Sequence, residues 1–200
     1  MRFVGHTFGL ILDLRQNTGG ASTGVAFLCS YLFPPEPVHL NDIYYREGER
    51  VQQYWTLPAL PGPRYGPGPV YVLTSRRTFS AGEELAYNLQ SLGRATVVGE
   101  VTAGGANPVD VYQVHPHFAI RVPTCRAINP ITRTNWEGVG VQPDLAVAAG
   151  DALDAAYREA LLKAAAHYAA HATPAFKSLR QQIDQALSAL DEGGLAAITA

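Results

Sequence analysis

A serine that closes a buried strand and opens a helix can act as a nucleophile, and Ser80 stands at such a junction. Val70-Tyr-Val-Leu-Thr74 is a short β-branched and aromatic run, and beyond Ser80 apolar residues recur at helical spacing at Leu85, Ala86, Leu89 and Leu92. A hydroxyl there lies beside the free N–H groups and the positive end of the helix, where an oxyanion can be stabilised. The same residue also reads as a cap. Ser80-Ala-Gly-Glu83 is a capping box, with glutamate three residues after serine, and on the local pattern alone capping is the commoner use of such a residue.

Other segments offer companions. Phe8-Gly-Leu-Ile-Leu-Asp13-Leu-Arg15 is an apolar strand that runs through Gln-Asn-Thr into Gly19-Gly20. Paired N–H groups in a glycine turn can form an anion-binding concavity. A second strand and turn follow at Ala95-Thr-Val-Val-Gly99 to Gly104-Gly105, and a third block reads Thr134-Asn-Trp136-Glu137-Gly-Val-Gly140-Val-Gln-Pro143-Asp144. Glu137 is either an exposed acid in a turn or a catalytic carboxylate. Asp13 and Arg15 are placed to pair at the strand end, and Trp136 reads as packing. Of the six histidines, His167 and His171 are four apart on a late helix but have no third ligand at a recognisable spacing, so a solvated face is expected and no metal site. His115 and His117 flank Pro116 and are expected to alternate on one strand face. His6 and His39 carry no assigned role.

These blocks, in this order, resemble the C-terminal processing (tail-specific) serine peptidase family. The closer likeness is to its branch containing the tricorn protease core and the interphotoreceptor retinoid-binding protein repeats, over about residues 8 to 165. The resemblance implies a crotonase/Clp-protease-like spiral and no cofactor. It puts Ser80 at the nucleophile position, the backbone N–H groups of Gly20 and Ala81 in the oxyanion hole, and Glu137 at the carboxylate that orients the catalytic machinery. Tail-specific proteases proper use a Ser–Lys dyad, but their lysine position falls on Gly105, and no lysine occurs between Ser80 and Lys163. That leaves a histidine base. In the tricorn-like branch this residue lies well upstream of the Asp-Leu-Arg strand, so the resemblance implies a base that precedes Met1 and a core whose activity on its own is undecided. A serine hydroxyl needs such a base, an imidazole needs a carboxylate to fix its tautomer, and the tetrahedral intermediate needs the two N–H donors.

Composition narrows the function classes. Hydrophobic residues are 47% and charged residues 16% of the 200, which suits a globular chain with one substantial core. A formal net charge of −2, with no basic run, gives no case for nucleic acid. Cys29 and Cys125 are expected to be free thiols. No membrane span or signal peptide is visible, so a periplasmic or secreted location would require a leader upstream, and a cytoplasmic one would not.

The elements needed to hold the candidate site are an α/β set with a largely parallel sheet. Strands are expected near 8–14, 70–74, 95–99, 109–114, 117–123 and 139–147, with Cys125 on a strand in Val122 to Arg126. A hairpin is expected over 40–57, and helices near 21–33 and 81–92. The proline-rich segment Leu57 to Pro69 reads as a surface loop. Residues 1–150 form the expected peptidase core. Residues 151–200 form a C-terminal amphipathic helical pair broken at Thr173-Pro174, packed on the core or on a second copy in a homo-oligomer. The leading expectation is a serine endopeptidase acting on peptides or unfolded protein through Ser80. The alternative is a non-catalytic module of the same fold that binds apolar small molecules or peptides.

Overall fold

The computed structural model describes residues 1–171 and 173–198; Ala172, where the first tail helix is expected to end, and residues 199–200 lie outside the described residues. A four-stranded parallel sheet, in the order β1-β4-β5-β9, carries the fold: β1 is Leu10–Asp13, β4 Val70–Thr74, β5 Thr96–Gly99 and β9 Leu145–Ala146. Every residue of β4 is buried, as the unbroken apolar run requires of a strand covered on both faces. Val70 and Val72 point into one cluster with Val97, Leu85, Leu89, Val25 and Leu40. Tyr71 and Leu73 point the other way, onto Val98, Ala152 and Ala156.

The first of these clusters is closed by α1 (Ser22–Ser30), α2 (Ala81–Ser91) and a three-stranded antiparallel sheet. That sheet runs β3-β2-β8, from β2 (His39–Tyr45), β3 (Arg50–Trp55) and β8 (Cys125–Ile128). The second is covered by α3 (Ala152–Ala170), whose alanines let it lie close on the sheet, and α4 (Lys177–Ile198) packs on α3. The helix of α4 is interrupted at Gly193 and Gly194, whose backbone angles are not helical. The proline-rich loop is pinned by two arginines. Arg64 donates to the carbonyls of Leu57, Pro58 and Phe33, and Arg94 donates to those of Gly66, Gly68 and Leu32. Among the described residues no helix is long and apolar enough to cross a membrane.

Three local expectations are corrected. Strand structure near the end of the core is only Leu145–Ala146, not 139–147. The N–H groups of Val139 and Gly140 turn back onto the Trp136 carbonyl, Gly138 and Gly140 take positive φ, and Pro143 has no N–H to give to a ladder. Cys125 belongs to a separate strand, β8, which pairs with β2, whereas β7 (Phe118–Pro123) pairs with β6 (Val109–His115) and ends at a proline. His115 and His117 do not share a strand face, because residues 116–117 form the turn of the β6–β7 hairpin. Cys29 and Cys125 are free, and burial pushes the Cys29 thiol upward.

Ala156 is fully buried between α3 and the sheet. Ala156→Leu should overpack that contact and cost about 1–3 kcal/mol, read as a lower urea midpoint at unchanged slope.

Candidate active site

Strands β1 and β4 are parallel neighbours in register, Asp13 beside Leu73, so the loops that follow them leave the sheet side by side. They are laced together. Thr78 Oγ1 donates to the Leu14 carbonyl at 2.9 Å, Ser75 Oγ to that of Arg15 at 2.7 Å, and the Phe79 N–H to that of Asn17 at 3.0 Å. Asp13 and Arg15 form the expected pair at 2.7 Å, and Arg15 also donates to the Ala149 carbonyl. Asn17 Oδ1 accepts from the Gly19 N–H at 2.9 Å and shapes the glycine turn. Gly19 has φ +126°, and a Cβ on it would sit 3.0 Å from the Ser80 Cβ, so only glycine allows this approach. Crevices beyond the carboxyl ends of parallel strands are where such sheets bind ligands.

Ser80 itself takes φ 54°, ψ −121°, a conformation unfavourable for a residue with a Cβ. The glutamate three residues on holds it there. Glu83 is 0% exposed, and its carboxylate accepts from the Ser80 N–H at 2.8 Å, Thr102 Oγ1 at 2.5 Å, the Gly104 N–H at 2.7 Å and the Gly105 N–H at 2.9 Å. Ser80 and Glu83 form a capping box in both directions: the Ser80 side chain faces the Glu83 N–H, and the Glu83 carboxylate accepts from the Ser80 N–H at 2.8 Å.

A cleft of about 240 Å³ lies over Ser80, with Gly20, Ala81, Ala106, Tyr54 and Trp136 among its walls. A Cβ on Gly20 would lie 3.8 Å from that of Ala81, which puts the two backbones together beside the serine. Among the described residues, no carbonyl or side chain accepts from the N–H of Gly20 or of Ala81. Glu137 serves the far wall: its Oε2 accepts from the N–H groups of Ala106 at 2.7 Å and Asn107 at 2.8 Å. Trp136 is buried, as expected of packing, yet also faces the cleft.

No histidine or lysine lines this cleft among the described residues. His39 is occupied elsewhere, 2.6 Å from Asp42 and stacked on Trp55. At Gly105, a side chain would overlap the Phe79 ring. The space beside Gly105 is filled by Phe79, the residue before Ser80.

The sequence profile of peptidase family S41 matches residues 5–147. The chain belongs to peptidase family S41. It is 26% identical over 140 residues to a carboxy-terminal-processing protease of Bartonella bacilliformis, covering 70% of this chain and 31% of that protein. It superposes on a photosystem II D1 C-terminal processing protease with a TM-score of 0.54 at 26% identity, over 71% of this chain and 35% of that one. Mature CPAF, 17% identical, shares the fold with a TM-score of 0.61 over 76% of this chain and 42% of its own. The S41 chain therefore spans about a third of the first two relatives.

Sequence reasoning missed two things at this S41 site. Glu83 was legible as a cap but not as the acceptor that also gathers residues 102–105, because its other donors are backbone N–H groups and a threonine some twenty positions away. Asp144, in the Gln-Pro-Asp motif, ties the chain to β5 and α2: it accepts from the Val97 N–H at 2.7 Å and from Gln90 Nε2 at 2.9 Å.

Two outcomes test this geometry. Glu83→Gln replaces an acceptor-only carboxylate by a group with two donors, so buried N–H groups lose partners. It should cost about 3 kcal/mol in chemical denaturation. Gly105→Lys should lose about 1–3 kcal/mol by overpacking against Phe79, and Phe79→Ala in the same chain should recover part of that loss.

Proposed function

We propose that this chain carries the nucleophile and oxyanion hole of a serine peptidase, with peptides or unfolded protein segments as substrate. The observation that carries the reading is Ser80, held on a strained turn over the cleft beside two unengaged N–H groups, those of Gly20 and Ala81. Ser80 Oγ bonds to the substrate carbonyl carbon as its proton passes to a base. The carbonyl oxygen becomes an oxyanion that accepts from the two N–H groups. Collapse breaks the C–N bond, the proton goes to the leaving amine, and water then releases the acyl group from Ser80. Acyl transfer of this kind needs no cofactor. Losing one oxyanion donor typically costs about 2.7–4 kcal/mol of barrier, so both N–H groups matter to the rate.

The base is assigned to a group that reaches the cleft from beyond its described lining. An imidazole arriving there could be oriented by Glu137, whose Oε2 is committed to Ala106 and Asn107 while Oε1 accepts no hydrogen bond among the described residues. An extended peptide adding as a strand beside the site is the binding mode this reading favours.

A fluorophosphonate serine-hydrolase probe, read by intact mass with and without added imidazole, tests the proposal. One adduct is expected in the wild-type chain, faster with imidazole and absent in Ser80→Ala. A folded chain that stays unlabelled under both conditions would move the non-catalytic binding module ahead. An adduct that persists in Ser80→Ala would remove Ser80 from the mechanism.

A further inference from the structure

The residue after the buried hub is a second buried acid, and it faces a different space. Glu84 is 5% exposed and lines the same cleft as Ser80, together with Ser22, Ile43, Tyr45, Tyr54 and Trp136. Its carboxylate accepts from Ser22 Oγ at 2.7 Å and from Asn41 Nδ2 at 3.3 Å. Among the described residues no lysine, arginine or histidine forms an ion pair with it. Glu83 has four donors to disperse its charge, whereas Glu84 has a hydroxyl and one long amide contact. A carboxylate left in that condition is costly, and burial pushes the Glu84 carboxyl above its usual range. Asn41 beside it is also fully buried, and its Oδ1 has no hydrogen-bond partner. Two acceptors with too few donors thus adjoin a cleft whose walls mix Ile43, Pro108, Trp136 and two tyrosines with Ser22, Ser80 and Asn107.

We propose that Glu84 makes this cleft a subsite for a basic substrate side chain, lysine or arginine, next to the scissile bond. The proposal rests on the peptidase reading for its place in the reaction, but not for its binding chemistry. The aliphatic stem of such a side chain lies against Ile43, Trp136 and the two tyrosines, and its cationic head meets the Glu84 carboxylate. Tyr45 already carries the Arg50 guanidinium 3.5 Å over its ring, so the rings of Tyr54 and Trp136 are the ones that add attraction to the cation. An ammonium has three donors and a guanidinium five, so either supplies the hydrogen bonds that Ser22 and Asn41 leave short. A neutral side chain of the same length would fill the walls and leave the acid uncompensated. A carboxylate side chain would be repelled. Glu84 acts here in selecting substrate; it is not assigned a role in the bond-breaking step.

The test measures equilibrium binding, so it needs no acylation and separates this proposal from the role of Ser80. Short capped peptides identical except for one residue (lysine, Nε-acetyl-lysine or norleucine) are titrated into the full chain and followed by NMR. The lysine peptide should bind about tenfold more tightly than the other two, the discrimination expected of a charge-assisted hydrogen bond. Ser80→Ala should keep that preference, and Glu84→Gln should remove it. Equal binding of the lysine and acetyl-lysine peptides by the wild-type chain would overturn the proposal without reference to any variant. So would a lysine preference that survives in folded Glu84→Gln. If the fluorophosphonate fails to label Ser80 while the lysine preference holds, the peptidase reading falls and the basic subsite stands.

Discussion

The buried carboxylate of Glu83 is the constraint on which the site depends. Taking a carboxylate out of water costs several kcal/mol unless donors replace the lost hydration. Here four donors do so, and they come from separate stretches of chain: the Ser80 turn, Thr102, and Gly104 with Gly105. Satisfying one charge therefore forces the turn after β5 against the first turn of α2. The relay extends further, since the Val141 N–H donates to the same Thr102 hydroxyl at 2.7 Å. A strained residue such as Ser80 costs about 1–3 kcal/mol, while a hydrogen bond to a charged group is worth about 1.5–3. The Glu83 set outweighs the strain, so the serine can stay in a conformation that no local preference would choose.

Packing at Gly105 and Gly19 then determines what kind of site this is. Glycine at 19 allows a backbone turn to approach Ser80, and glycine at 105 leaves room for the Phe79 ring. The second contact has a chemical consequence, because a lysine at 105 and a phenylalanine at 79 compete for one volume. A side chain at 105 would therefore have to displace the Phe79 ring, which is 43% exposed.

Two adjacent glutamates of α2 have opposite fates, and only Glu84 lines the cleft. Glu83 points into the protein and meets enough N–H groups to be structural. Glu84, one residue on along the helix, points toward the cleft and the first turn of α1, where Ser22 is its nearest donor at 2.7 Å. A rotation of about 100° per residue along a helix suffices to turn one acid into the protein and the next toward the cleft.

The amino-acid sequence by itself determined the strand at 70–74, the helix opened by Ser80, the glycine turn at 19–20 and the order of blocks that marks an S41 peptidase. These are local signals: an unbroken apolar run, a 3.6-residue period, a capping box, residues free to take positive φ. Its resemblance to the tail-specific proteases implied that Gly105 falls where they carry a lysine. The sequence could not show that the Phe79 ring occupies the space beside that glycine. It read 139–147 as one strand, since Val139, Val141 and Val147 look alike whether they pair or turn, and only the return of the Val139 and Gly140 N–H groups to Trp136 decided the matter. Only the tertiary structure made Glu83 a hub and Glu84 a cleft wall. Each acid's role depends on donors brought from distant segments, and one-dimensional spacing carries no record of which N–H groups will lie within 3 Å of a carboxylate once the chain is folded.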